Sequence, residues 1–226
     1  KARRTLSAQR LVPMKFYDFG LAPSPTKVRI FITEKSLQIP IEVVNIRKME
    51  QQQAEFLEKA PSATVPALEL DDGTMLLESH AICHYLEGIH PEPNLLGVDA
   101  KEKALVVMWH DIATLEGYLA SQEVLRNDLD AFAGRALPGP QSYEQIKALV
   151  ERGKKRTEVF FDKLDARLAE SAYVALDRFT YADIAVYVYR GFANHATGTD
   201  PAVGRDNVTR WSESIAARPA VQAALR

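Results

Sequence analysis

Apolar residues recur along this chain with two different periods, and the change falls near position 90. Before it, short β-prone runs alternate with helical stretches; after it, only helical spacing is found. Phe16-Tyr17-Asp18-Phe19 predicts a first strand, followed by the loop Gly20-Leu21-Ala22-Pro23. Ser24-Pro25 then predicts a helix start, with a capping hydroxyl and a proline at the first helical position. Val28, Ile30, Phe31 and Ile32 are the main apolar residues of that helix. Residues 41–46 predict a second strand and 51–57 a polar helical segment. A β-rich run from Thr64 to Leu70 carries Pro66 near its start, turns at Asp71-Asp72-Gly73, and returns as Leu76-Leu77. Proline cannot donate a ladder hydrogen bond, so it belongs at a strand's first residue or edge. Glu78-Ser79 closes the run, and Ser79 is the expected N-cap of a helix over roughly 80–88. The order is β-α-β-α-β-β-α, an α/β domain over residues 14–90.

His90-Pro91-Glu92-Pro93-Asn94 opens a proline-rich linker, 91–100, and residues 101–226 read as an all-α domain. One long helix is predicted over 101–127. A second is predicted over 143–169, with Ile146, Leu149, Val150, Phe160, Phe161, Leu164 and Leu168 as its apolar positions. Residues 179–189 and 208–225 hold at least two more, and 133–140 reads as a mobile loop between the long helices. Thr180-Tyr181-Ala182-Asp183 is a capping box with Asp in place of Glu, flanked by Phe179 and Ile184 at the staple positions. Asp183 is assigned to folding on that basis, not to catalysis.

Composition narrows the picture. With 28 basic against 30 acidic residues and a net charge of −2, the chain has no electrostatic footprint for nucleic acid. Its apolar runs fall short of the ~20 residues that cross a bilayer, so no membrane partner is expected. A single cysteine rules out an internal disulfide framework and fits a reducing compartment. The expectation is a soluble, cytoplasmic protein. Lys1, Arg3, Arg4 and Arg10 make 1–13 a basic segment, read as a dispensable extension or an upstream start rather than a targeting signal.

The candidate chemistry gathers around Val65-Pro66 and Glu78-Ser79. An X–Pro bond is only about 0.5–1 kcal/mol less stable cis than trans. A cis bond here is expected to expose the Val65 amide and carbonyl, an edge that an extended peptide can join as an added strand. The helix start at Ser79 offers free amides and a positive dipole end to a carboxylate. Together they describe a site for a short anionic peptide.

These residues resemble the glutathione transferase family, whose first domain has a Val-Pro turn and a later Glu/Gln-Ser pair. The resemblance extends to Lys15-Phe16-Tyr17-Asp18-Phe19, Lys27-Val28-Arg29-Ile30-Phe31, Phe179-Thr180-Tyr181-Ala182-Asp183-Ile184, Arg210-Trp211 and Arg218-Pro219-Ala220-Val221, spanning Met14 to the C-terminus. It implies a thioredoxin-like N-terminal domain followed by an all-helical one. It also implies a homodimer and glutathione as co-substrate, its thiol activated for conjugation to a small electrophile or for thiol–disulfide exchange, as in detoxification. Glu78 is then expected to accept the γ-glutamyl ammonium, Ser79 to hold that residue's carboxylate, and Val65, beside Pro66, to pair with the cysteinyl backbone.

The family's serine or cysteine position falls on Ala22 and its tyrosine position on Asp18, while Tyr17 is one residue off and points to the opposite face. Ser24 is the candidate for contacting sulfur; the alternative, that its hydroxyl only caps the helix, stands beside it, and Thr26 is a third candidate. Ala60 and Ala63 replace polar residues common in relatives, and Lys48 or Lys59 is the candidate cation for the glycyl carboxylate. Leu21, Asp111 and Tyr118 are the expected walls of the electrophile pocket, with Leu115 equally suited to packing. Cys83 is read as a buried hydrophobe. His80, His84 and His90 resemble a metal set only in number, and no metal is expected. The second function kept open is a non-catalytic glutathione or hydrophobic-ligand binding protein of the same fold, and the third a module that only dimerises.

Overall fold

The computed structural model describes residues 14–226, so the basic segment 1–13 lies outside the described residues. Strand β1 (Lys15–Asp18) leads to α1 (Pro23–Glu34), β2 (Ile41–Val43), α2 (Ala54–Lys59), β3 (Ala67–Glu69), β4 (Met75–Leu77) and α3 (Ser79–Ile89). The four strands form one sheet in the order β2-β1-β3-β4; β1 runs parallel to β2 and antiparallel to β3, and β4 returns antiparallel beside β3. This is the anticipated thioredoxin-like α/β order. Strand alternation divides β1 as expected: Phe16 enters the main core, whereas Tyr17 packs on the other face with Val44, Phe56, Ala60 and Ala67.

The second half is helical: α4 (Ala100–Ile112), α5 (Leu119–Asp128), α6 (Ala148–Glu170), α7 (Tyr181–Thr197), α8 (Asp206–Ala216) and α9 (Pro219–Ala224). Among the described residues no helix is long and apolar enough to cross a membrane. Phe16, Phe31, Leu68, Ile82 and Leu86 share one buried cluster with Phe161, Leu164, Tyr181, Ile184 and Trp211, so the sheet layer and the helical half are built on a common core.

Several boundaries depart from expectation for local reasons. The second strand ends at Val43 because the Asn45 side chain accepts from the Arg47 and Lys48 amides and starts a 3-10 turn. The helical segment expected over 51–57 is a 3-10 turn, Glu50–Gln52, then α2, because Gln53 is extended. The long helix expected over 101–127 contains a π turn, Ala113–Tyr118, which joins α4 to α5. The helix expected from 143 begins at Ala148 instead. Ahead of it, the Tyr143 amide donates to the Gly134 carbonyl (3.0 Å), and Ile146, exposed rather than packed, donates its amide to Asn127 Oδ1 (2.8 Å). The stretch 208–225 is two helices because Arg218, preceding Pro219, is held out of the helical region. The capping box at α7 forms as anticipated. Asp183 is fully buried and accepts from the Val174 and Thr180 amides and from Trp211 Nε1.

Candidate functional site

Register brings the candidate residues to one edge of the sheet. Ala67 pairs with Leu77 across the β3–β4 hairpin, so Val65-Pro66 and Glu78-Ser79 lie opposite one another just beyond the ladder. Tyr17 pairs with Ala67 on the other side, so the loop leaving β1 toward α1 runs past the same edge. The Val65–Pro66 bond is cis. Among the described residues, neither the Val65 amide nor its carbonyl is paired with other backbone.

Glu78 has φ 66° and ψ 123°, a left-handed conformation that a β-carbon disfavours, and its exposed carboxylate has no ion-pair partner among the described residues. Backbone held in so sparsely populated a region costs on the order of 1–3 kcal/mol and gathers at functional sites. The sequence placed the cap at Ser79; instead Glu78 is the N-cap and Ser79 the buried first residue of α3, near Tyr181.

At α1 the expectation for Ser24 is corrected. Ala22 is the N-cap and makes no side-chain bond, Pro23 opens the helix, and Thr26 turns its hydroxyl back onto the Ala22 carbonyl (2.8 Å). Pro23 has the fixed φ and the absent N–H that suit a first helical position, which moves the start ahead of Ser24. Pro23 and Pro25 carry no amide hydrogen, and the Thr26 amide is bonded to the Ala22 carbonyl (3.2 Å). Ser24 is therefore the residue of this first turn that has both an N–H and a hydroxyl to offer. It lies near Tyr118, whose phenol is pushed up to about 12 by burial, with Ser24 acting in the opposite sense. Tyr118 stacks on Tyr189 at 4.7 Å between ring centres.

Other candidates have prior commitments. Tyr17 donates to Glu69 and accepts from Lys59 Nζ (2.8 Å) on the far face, which removes Lys59 as a cation for the site. Asp18 is paired with Arg29 at 2.6 Å. Lys48 is exposed on the 3-10 turn after β2. Cys83 is buried, and burial pushes its thiol well above the usual range. Leu21 is exposed in the loop before α1, and Asp111 lies at the end of α4, bonded to His110 Nδ1 at 3.0 Å. Sequence reasoning missed the nearness of Tyr118 to Ser24 and the buried Lys27, which donates to Tyr189 Oη at 2.6 Å. Neither leaves a local signal, because each joins residues far apart in the chain. An open recess of about 430 Å³ bordered by Tyr187, Arg190, Asp200 and Glu213 lies in the α7–α8 region and shares no residue with this edge.

The chain matches the description of the glutathione S-transferase N-terminal domain over residues 23–89 and that of the C-terminal domain over residues 104–219. It belongs to the glutathione transferase family. It is 34% identical over 178 residues to glutathione S-transferase 2 of Saccharomyces cerevisiae, covering 76% of this chain and 73% of that protein. It is 28% identical over 211 residues to glutathione S-transferase F11 of Arabidopsis thaliana, covering 92% and 94%. Among solved structures, a glutathione S-transferase domain-containing protein of Marinobacter aquaeolei superposes with a TM-score of 0.84 at 31% identity, covering 92% of this chain and 99% of that one. Gtt2 of Saccharomyces cerevisiae does so with 0.84 at 30%, covering 93% and 100%.

Proposed function

We propose that this chain is a glutathione transferase that binds glutathione along the Val65–Ser79 edge and activates its thiol for conjugation to an electrophile or for thiol–disulfide exchange. The observation that carries the reading is Glu78, an ionisable side chain on strained backbone, facing the unpaired Val65 edge across the hairpin. A peptide bearing an ammonium and carboxylates answers each of these features. Val65 pairs with the cysteinyl backbone, Glu78 accepts the γ-glutamyl ammonium, and Ser79 at the start of α3 holds the neighbouring carboxylate. Pro66 fixes the turn that presents Val65.

Thiolate formation at neutral pH needs donors aimed at sulfur, because a free thiol titrates near 8.5. Ser24 supplies that donor at the start of α1, with Tyr118 of the helical half, kept protonated at neutral pH by burial, beside it. Leu21, Asp111 and Tyr118 border the place of the second substrate. The enzyme works as a cytoplasmic homodimer. Ala22 favours a second reading, a glutathione-binding protein without turnover, since it leaves the usual activating position without a functional group.

Two measurements separate these readings: calorimetric titration with glutathione, and turnover with chlorodinitrobenzene or a small disulfide. Binding with turnover is the expected result. Binding without turnover leaves the second reading, and absence of both removes the site.

A further inference from the structure

In the sequence His80, His84 and His90 resembled a metal set only in number. The fold regroups them. His90 follows the end of α3, and of His80 and His84, one turn apart on α3, His80 is met by His110 from the last turn of α4, with Asp111 beside it. We propose that His80, His84 and His110, oriented by Asp111, form a binding site for a divalent transition metal of the zinc type, joining α3 to α4.

Three observations carry this. First, the spacing fits. Two nitrogens bound to one ion at about 2.0–2.1 Å sit about 2.9–3.4 Å apart in octahedral or tetrahedral geometry, and His80 Nε2 and His84 Nε2 are 3.1 Å apart. One nitrogen of His80, one of His110 and a carboxylate oxygen of Asp111 all lie within 4.8 Å of one another. The rings are tilted, by 40° between His80 and His110 and 56° between His80 and His84, so their lone pairs are not locked parallel.

Second, His110 is set up as a ligand. Its Nδ1 is 3.0 Å from Asp111 Oδ1, and a carboxylate at that distance takes the proton-bearing nitrogen. The lone pair is then on Nε2, and this atom is buried without a hydrogen-bond partner in a residue only 7% exposed. Metal-bound histidines ordinarily donate their second nitrogen to a carboxylate in this way.

Third, the donor set is imidazole, which suits zinc and its neighbours and not calcium or magnesium. His84 is exposed and gives the ion a route from solvent. Among the described residues, Lys27 is a cation whose charge reaches both His80 and His110. Its ammonium is turned onto Tyr189 Oη and is held there, away from a ligand position.

The test uses the full chain without a histidine tag, stripped of metal and titrated with Zn²⁺ against a chromophoric chelator. Co²⁺ is added in parallel for its visible spectrum. One equivalent per chain is expected, with Co²⁺ bands of nitrogen–oxygen coordination. His84→Ala, at an exposed position, and Asp111→Asn should each weaken binding about 10–100-fold, with folding checked by circular dichroism. His195→Ala, on α7, should leave it unchanged. Absence of saturable binding, or unchanged affinity in either the His84 or the Asp111 variant, overturns the site. The readout involves no glutathione, so it stands apart from the fate of the proposed activity.

Discussion

Ser24 and Glu78 are single residues whose surroundings make opposite demands on a mutation. Because Ala22 and not Ser24 occupies the cap of α1, Ser24→Ala removes a hydroxyl beside Tyr118 without uncapping the helix. Stability should change little. Turnover should fall about 10–100-fold, or roughly 1.4–2.7 kcal/mol of transition-state stabilisation. A folded variant with full activity and the same pH–rate profile would leave the Ser24 amide as the group that activates sulfur. Glu78 combines an exposed carboxylate, offered to the ligand in the proposed site, with strained backbone. Glu78→Ala should weaken glutathione binding by about 1.5–3 kcal/mol, the range for losing a hydrogen bond to a charged group. An unchanged dissociation constant in titration calorimetry would remove it from the site. Both positions were singled out in the sequence because each belongs to a short local pattern, Ser-Pro or Glu-Ser, although the Ser-Pro pattern placed the start of α1 too late. What surrounds each was not legible. Tyr118 arrives beside Ser24 from the long helix of the second half, and no periodicity within either half announces that meeting.

Helix existence was readable and helix detail was not. The apolar spacing of the long helix is continuous from 101 to 127, and a π turn adds one residue to a turn without altering composition, so Ala113–Tyr118 left no mark. Ile146 suited a helix pattern by hydropathy, yet its amide is taken by Asn127 across the loop and α6 begins later. The α5–α6 contact shows the same limit. Gly153 sits inside α6, where glycine is ordinarily less favourable than alanine by about 0.8–1.0 kcal/mol. A β-carbon there would stand 2.6 Å from the Ala120 carbonyl oxygen and 2.9 Å from Val124 Cγ2. That oxygen belongs to the backbone of a packed helix and does not rotate away. Overpacking of this kind costs about 1–3 kcal/mol, which exceeds the propensity gain. Gly153→Ala is therefore expected to lower stability by about 1–2 kcal/mol in urea unfolding. A stabilised variant would mean that the two helices are not held at this separation.

At the scale of the whole molecule, the two halves are tied as one unit, which the composition change near position 90 disguised. Lys27, only 3% exposed, reaches Tyr189; Arg218 pairs with Glu34 at 2.7 Å; and Arg29 donates to the Ala224 carbonyl at 3.1 Å. The unit still leaves apolar surface uncovered. Met108 and Leu115 lie on the α4–α5 rod on either side of Asp111, 44% and 57% exposed. Large side chains left so open on one element are what a second copy of the chain would cover, and closed two-fold pairs are the commonest oligomers. Light scattering at micromolar concentration should give twice the 25.2 kDa chain mass. Met108→Glu would place a carboxylate in the contact, twice over by symmetry, and should shift the population to monomer while leaving the thermal unfolding of the isolated chain nearly unchanged, since Met108 is outside the core. A wild-type chain that scatters as a monomer would overturn the assembly, and a dimer indifferent to Met108→Glu would move the interface to another face.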